Sequence, residues 1–162
     1  MKELLIDLHK LLEEDYNQSI TKGKSNLENE GCIVNGIPKC AVIIQLDEEG
    51  SPFPKTAIRC DYILFLSNNE GNISAFVIEL KSGKSGNISV SDAKGQLQSG
   101  ANFLEGFQEA KKLSIKLNLI PILFGRLSKS QKAQLHTKRI SYKGKKIPIM
   151  KSNCGDSLPI NS

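Results

Sequence analysis

Residues 73–81 read Ile73-Ser74-Ala75-Phe76-Val77-Ile78-Glu79-Leu80-Lys81, and this stretch decides the fold. It is rich in β-branched and aromatic residues, and it lies between the turn Asn68-Asn69-Glu70-Gly71-Asn72 and a Gly/Ser-rich segment over residues 82–90. That context predicts a strand. Strand alternation sends Ile73, Ala75, Val77, Glu79 and Lys81 to one side, and Ser74, Phe76, Ile78 and Leu80 to the other. Glu79 and Lys81 therefore sit side by side at the end of an otherwise apolar face. A buried charge there needs a partner or a metal. The plainer alternative is a surface ion pair on an edge strand, which is worth little.

Upstream, residues 40–46 form an apolar run, Asp47-Glu48-Glu49-Gly50-Ser51-Pro52 is a turn, and residues 57–66 are again β-rich. Two turns between three such runs predict an antiparallel meander. A hairpin through residues 67–72 would bring Asp61 beside Glu79. Downstream, Ser91 or Asp92 caps a long helix reaching about residue 118. Its apolar face is Ala93, Leu97, Ala101, Leu104, Ala110, Leu113 and Leu117, and Gly100 with Ala101 suits close helix–sheet packing. Residues 119–124 then read as a buried strand ending at Gly125, and a crossover of this length adds it parallel to the sheet.

Toward the N-terminus, Leu4, Leu5, Leu8, Leu11 and Leu12 recur at helical spacing, so residues 2–16 read as an amphipathic helix. Residues 17–38 read as loop with short irregular pieces. One or two short strands are expected near residues 139–142 and 146–150. The class is α/β: a three-stranded antiparallel meander plus a parallel strand added by a helical crossover, flanked by helices. One domain spans residues 1–162, with a core over about 1–125 and a basic extension over 126–162.

Two carboxylates and an ammonium meeting at a sheet edge favour a hard divalent cation, Mg²⁺ or Mn²⁺, with phosphate oxygens completing its shell. Asp61, followed after seventeen residues by Glu79-Leu80-Lys81, resembles the signature of the PD-(D/E)XK nuclease superfamily, which has the restriction-endonuclease-like fold. The core of that family has the element order read above, over roughly residues 1–125. The resemblance implies that Asp61 and Glu79 are metal ligands, that the Leu80 carbonyl supplies another oxygen, and that Lys81 is catalytic. Exonuclease-like branches carry a glutamine early in the following helix, and Gln96 is similar to it, as is Gln98. The family often has a further acid on the first helix. On the helical wheel Asp15 falls within the leucine stripe and points inward, and Glu28 and Glu30 are rivals if the loop folds back. Each of the three also has a simpler reading as a solvent-facing acid.

Charge supports a polyanion as partner. The chain holds 22 Lys+Arg against 17 Asp+Glu, but residues 111–162 hold twelve bases and one acid. Arg126, Lys129, Lys138, Arg139, Lys143, Lys145 and Lys146 suit contacts to a phosphate backbone. The only aromatic among them is Tyr142, so stacking on single strands is not expected.

Several classes are excluded. No apolar run approaches a membrane span, and Glu3, Asp7 and His9 break up any signal peptide. Gly83-Lys84-Ser85 lacks the glycine a P-loop needs at position 78, where Ile78 stands. Serine-hydrolase elbows and zincin motifs are missing. Cys32, Cys40, Cys60 and Cys154 show no metal-binding pairing, and reduced thiols in a cytoplasmic protein are expected.

The functional expectation is a metal-dependent nuclease that hydrolyses phosphodiester bonds in DNA, in restriction, phage defence or repair. It would act as a homodimer or within a larger complex. The alternatives are a non-catalytic nuclease-fold subunit that binds DNA or serves assembly, and an RNA-cleaving enzyme with the same site.

Overall fold

A computed structural model of the chain describes residues 2–46, 59–83 and 87–160. The elements run α1 (Lys2–Tyr16), a 3₁₀ turn (Asn17–Ser19), β1 (Ile20–Lys22), β2 (Leu27–Asn29), β3 (Cys32–Val34), β4 (Val42–Gln45), β5 (Tyr62–Ser67) and β6 (Ile73–Lys81). They continue as α2 (Val90–Lys111), β7 (Leu117–Gly125), α3 (Lys129–Thr137), β8 (Arg139–Tyr142), β9 (Lys145–Pro148) and β10 (Met150–Ser152).

Six strands form one mixed sheet in the order β1-β4-β5-β6-β7-β10. The β1–β4, β4–β5 and β5–β6 pairs are antiparallel, with Tyr62 opposite Ile78 and Phe65 opposite Ala75 in the central hairpin. The β6–β7 and β7–β10 pairs are parallel. The expected meander and added parallel strand are therefore present, and β10, from the basic extension, joins the same sheet.

Alternation along the strands divides the interior in two. Ile73, Ala75 and Val77 pack with Ile63 and Phe65 against the helical layer, where Leu8, Leu12, Leu97, Ala101 and Leu104 are fully buried. Fully burying Leu8 and Leu12 contributes on the order of 2 kcal/mol each. On the other face, Phe76, Ile78 and Leu80 pack with Leu27, Cys32 and Val34 of a small β2–β3 hairpin and with Leu158. Both faces are covered, which explains why β5 and β6 read as near-continuous apolar runs.

Several boundaries differ from expectation. The cap of α2 is Ser89, whose side chain accepts the Asp92 N–H at 3.1 Å, so the helix begins at Val90 rather than after Ser91 or Asp92. It ends at Lys111 instead of near residue 118, because Lys112 turns left-handed (φ +51°) and its N–H closes onto Gln108 and Glu109. The remaining residues are thereby released to begin β7 at Leu117. β5 starts at Tyr62, while Arg59, Cys60 and Asp61 precede it; the expected positions 57–58 and the 47–52 turn lie outside the described residues. Residues 17–38 carry β1, β2 and β3. The β2–β3 turn is Glu30-Gly31, both at positive φ (49° and 87°), the backbone of a tight two-residue hairpin. No sequence expectation covered α3, which a capping box of Ser128 and Gln131 opens.

The thiols also differ. Cys32 is joined to Cys154 by a disulfide across 122 residues, and Cys40 and Cys60 stay outside any disulfide. The expectation of four reduced cysteines fails because the fold sets the end of β10 against the start of β3. Among the described residues no helix is long and apolar enough to cross a membrane.

Candidate active site

The site forms where β5 begins and β6 ends. Glu79 continues the helix-facing side of β6 and is 1% exposed; Asp61 stands just before β5 and is 3% exposed. The β5–β6 register ends at the Tyr62–Ile78 pair. The Asp61 N–H also donates to the Ile78 carbonyl, at 3.1 Å, which ties the residue before β5 to the last part of β6.

The Asp61 carboxylate is locked on both oxygens. Oδ2 accepts the Leu80 backbone N–H at 2.7 Å, and Oδ1 accepts the side-chain amide of Asn29 at 2.7 Å. The N–H and C=O of one strand residue face the same neighbour, so the Leu80 carbonyl also lies on the Asp61 side. Lys81 Nζ is 3.7 Å from Glu79 Oε1, and its side chain is 28% exposed against 2% for Glu79. Burying a carboxylate is costly without such a countercharge.

Gln96 approaches from above. A Cβ on Gly100 would lie 2.4 Å from Val77 Cγ1 and 2.8 Å from Cys60 Sγ, so α2 touches β6 at that point. The crossover makes α2 run antiparallel to β6. One turn back along α2 is Gln96, and two residues on along β6 is Glu79, distances that match at about 6 Å each. The Gln96 Oε1 atom is buried and accepts no hydrogen bond among the described residues. Gln98 is committed elsewhere, since its amide bonds the Ser141 carbonyl at 2.8 Å and the Ser141 N–H at 2.9 Å, fastening β8 to α2.

The further acids do not join. Asp15, expected to point inward, is exposed and pairs with Lys111 Nζ at 2.9 Å, with Glu14 on the same ammonium at 3.1 Å. These contacts hold the Lys111 pKa above its ordinary value. The last turn of α1 meets the end of α2 there, so it does not cover the site. Glu28 is exposed on β2, where its carbonyl accepts the Tyr62 hydroxyl at 2.7 Å; Glu30 is exposed in the hairpin turn. Among the described residues no three His, Cys, Asp or Glu side chains come together. The residue of this loop that does reach Asp61 is Asn29, which sequence reasoning missed.

The basic residues separate into two groups. Arg126 follows β7 and lines a cavity of about 420 Å³ with Lys81, Ser82, Gly83, Asn153 and Cys154. Lys129 opens α3 and Lys138 closes it. Arg139 and Lys146 lie on the β8–β9 hairpin, whose turn holds Lys143, beside Glu105, and leads into Lys145. Glu105 is nine residues past Gln96, about 14 Å along the helix, so that turn lies away from Lys81.

The donor types suit a hard cation: two buried carboxylates, with the Leu80 carbonyl on the Asp61 side. A carboxylate has about four acceptor positions, and Asn29 and Leu80 take two of those on Asp61. The chain matches no protein-family model, no curated protein and no solved structure.

Proposed function

We propose that this protein is a metal-dependent nuclease with a restriction-endonuclease-like core, acting on DNA. The observation that carries the reading is the placement of Asp61 and Glu79. One buried carboxylate stands just before β5 and another near the end of β6, and Lys81 is paired to the second. Asp61, Glu79 and the Leu80 carbonyl are the groups that would hold Mg²⁺ or Mn²⁺. When bound, such a cation supplies Lewis-acid stabilisation and a more acidic water. Lys81 carries the positive charge that steadies the phosphate as its charge builds, and orients the attacking water. Gln96 offers a buried acceptor for a proton of that water. Arg126 holds the backbone beside Lys81, and the cations of α3 and the β8–β9 hairpin extend the positive field along the duplex. Cutting both strands needs two such sites, so a homodimer, or a larger restriction, defence or repair complex in the cytoplasm, is the proposed setting.

The test is cleavage of plasmid and linear DNA, with RNA in parallel, with and without Mg²⁺ or Mn²⁺. Wild type should cut DNA only with metal, and Asp61→Ala and Lys81→Ala should lose at least a hundredfold. Equal residual cleavage by all three removes the assignment, and preferential cleavage of RNA transfers the site to the RNA enzyme.

One observation favours a second reading. Asp61 is bonded on both oxygens and Glu79 is countered by Lys81, so each carboxylate has a protein partner without a metal. A non-catalytic nuclease-fold module would bind DNA without cleaving it and would show no Mn²⁺ binding heat that Asp61→Ala abolishes.

A further inference from the structure

We propose that the cavity at the carboxyl ends of β6, β7 and β10 is a phosphate-binding site separate from the carboxylate pair, built to receive a phosphate monoester. It is lined by Lys81, Ser82, Gly83, Arg126, Asn153 and Cys154, with no acid among them, and its volume of about 420 Å³ admits a phosphate group with room for what carries it. The three strands that end there are mutually parallel, and the carboxyl ends of parallel strands are where open α/β sheets take ligands.

The charge is arranged for a dianion. Arg126 is exposed at the cavity and forms no ion pair among the described residues. Lys151, on β10, donates to the Asn153 side-chain oxygen, which leaves the Asn153 amide N–H₂ free to face the cavity. Burial and the neighbouring charge of Lys132 push the Lys151 pKa down, against a weaker opposite pull from Asp156. Two cations, Lys81 and Arg126, line the cavity itself, and a monoester dianion is drawn to such a pair more than a diester monoanion.

The wall is fixed without help from a ligand. Residues 153–158 are tied to β3 and its flank by the Cys32–Cys154 disulfide, by Gly155 N–H to the Ile33 carbonyl (2.6 Å), by Asn35 N–H to the Asp156 carbonyl (3.0 Å) and by Leu158 N–H to the Asn35 carbonyl (2.9 Å). Cys154 Sγ rests 3.4 Å from the Lys81 carbonyl, so this strap abuts the end of β6 directly. A preformed wall lowers the ordering cost of binding.

The site shares Lys81 and Arg126 with the nuclease reading, and its test uses binding without metal or cleavage. Two sources supply its ligand chemistry: the terminal phosphate of a nucleic-acid strand, and free phosphate or a small phosphate ester. Calorimetry in metal-free buffer with EDTA separates them, using inorganic phosphate and one oligonucleotide with either a 5′-phosphate or a 5′-hydroxyl. Wild type should bind phosphate, Arg126→Ala and Lys151→Ala should each weaken it about tenfold, and Asp61→Ala should leave it unchanged. Tighter binding of the 5′-phosphorylated oligonucleotide, lost in Arg126→Ala, identifies a strand end as the source. Equal binding of the two oligonucleotides with phosphate binding retained identifies the free ester. Phosphate binding that is absent at 10 mM, or unchanged in both cation variants, overturns the site. Because Asp61→Ala tests cleavage and Arg126→Ala tests phosphate, failure of one proposal is distinguishable from failure of the other.

Discussion

The amide of Asn29 donates to the Asp61 carboxylate at 2.7 Å across 32 residues of sequence. The β2–β3 hairpin is thereby a support for the candidate site, and Asn29 is a positioning residue for Asp61. A hydrogen bond to a buried charged group is worth about 1.5–3 kcal/mol. Asn29→Ala should lower stability by about that much in chemical denaturation. Asn29→Asp should cost more in EDTA, because two carboxylates then face each other, and should recover with millimolar Mn²⁺. A melting temperature for Asn29→Asp that ignores Mn²⁺ would show that no cation can enter beside Asp61.

Gly100 and Gly106 lie on the same helix, and alanine should act on them in opposite directions. At Gly100 a Cβ would meet Val77 Cγ1 at 2.4 Å and Cys60 Sγ at 2.8 Å, whereas at Gly106 it would meet nothing within 4 Å. Overpacking costs about 1–3 kcal/mol, and glycine to alanine in an open helix interior gains about 0.5–1 kcal/mol. Urea unfolding should therefore show Gly100→Ala destabilised and Gly106→Ala slightly stabilised. Adding Val77→Ala to Gly100→Ala should recover part of the loss. A neutral Gly100→Ala would mean that α2 does not seat on β6 at this point, and the placement of Gln96 over Glu79 would fail with it.

The meander and crossover were legible because their signals are local. Residues 73–81 are a near-continuous apolar, β-rich run, and a glycine- and asparagine-rich turn precedes them. What was not legible depends on partners distant in sequence. Nothing near Asn29 announces Asp61, and nothing in the cysteine spacing announces a Cys32–Cys154 pair. α3 buries only Gln131 and Leu135, too few for a periodic signal, although Ser128 and Gln131 already spelled a capping box. Asp15 shows the limit of the helical wheel. It does share the leucine stripe, but the last turn of α1 faces the end of α2, with Tyr16 5.3 Å from Phe103 and Asp15 on Lys111. A wheel gives direction around an axis, not what lies opposite each turn.

The Cys32–Cys154 disulfide closes a loop of 122 residues. In the chain-entropy account, a loop of that size limits the unfolded ensemble by about 4–5 kcal/mol, and measured losses run about 2–5 kcal/mol. Reduction, or Cys32→Ser with Cys154→Ser, should lower the melting temperature on the order of 10 °C. Thiol titration in denaturant should count two groups before reduction, Cys40 and Cys60, and four after it. In the native protein only Cys40 should react quickly, because Cys60 is buried. Four thiols without reductant would remove the strap's covalent tie.

Tyr142 links β8 to α2 through its hydroxyl, which donates to the Gln108 side-chain oxygen. Burial pushes its pKa up to about 12, outweighing the Gln108 hydrogen bond, with the nearby Glu105 charge adding to the rise. An unfolded tyrosine loses its proton near pH 10, so between pH 10 and 12 the folded chain binds more protons than the unfolded one. The associated stability is fully present below pH 10 and is lost as pH rises toward 12, on the order of 1–2 kcal/mol. Tyr142→Phe lacks this titration. At pH 8 it should be about 1 kcal/mol less stable than wild type for want of the hydrogen bond. The two denaturation profiles should then converge as pH rises from 10 to 12, since every other titrating group is common to both. Parallel profiles would mean that the hydroxyl is open to water and that β8 is not anchored to α2 through Gln108.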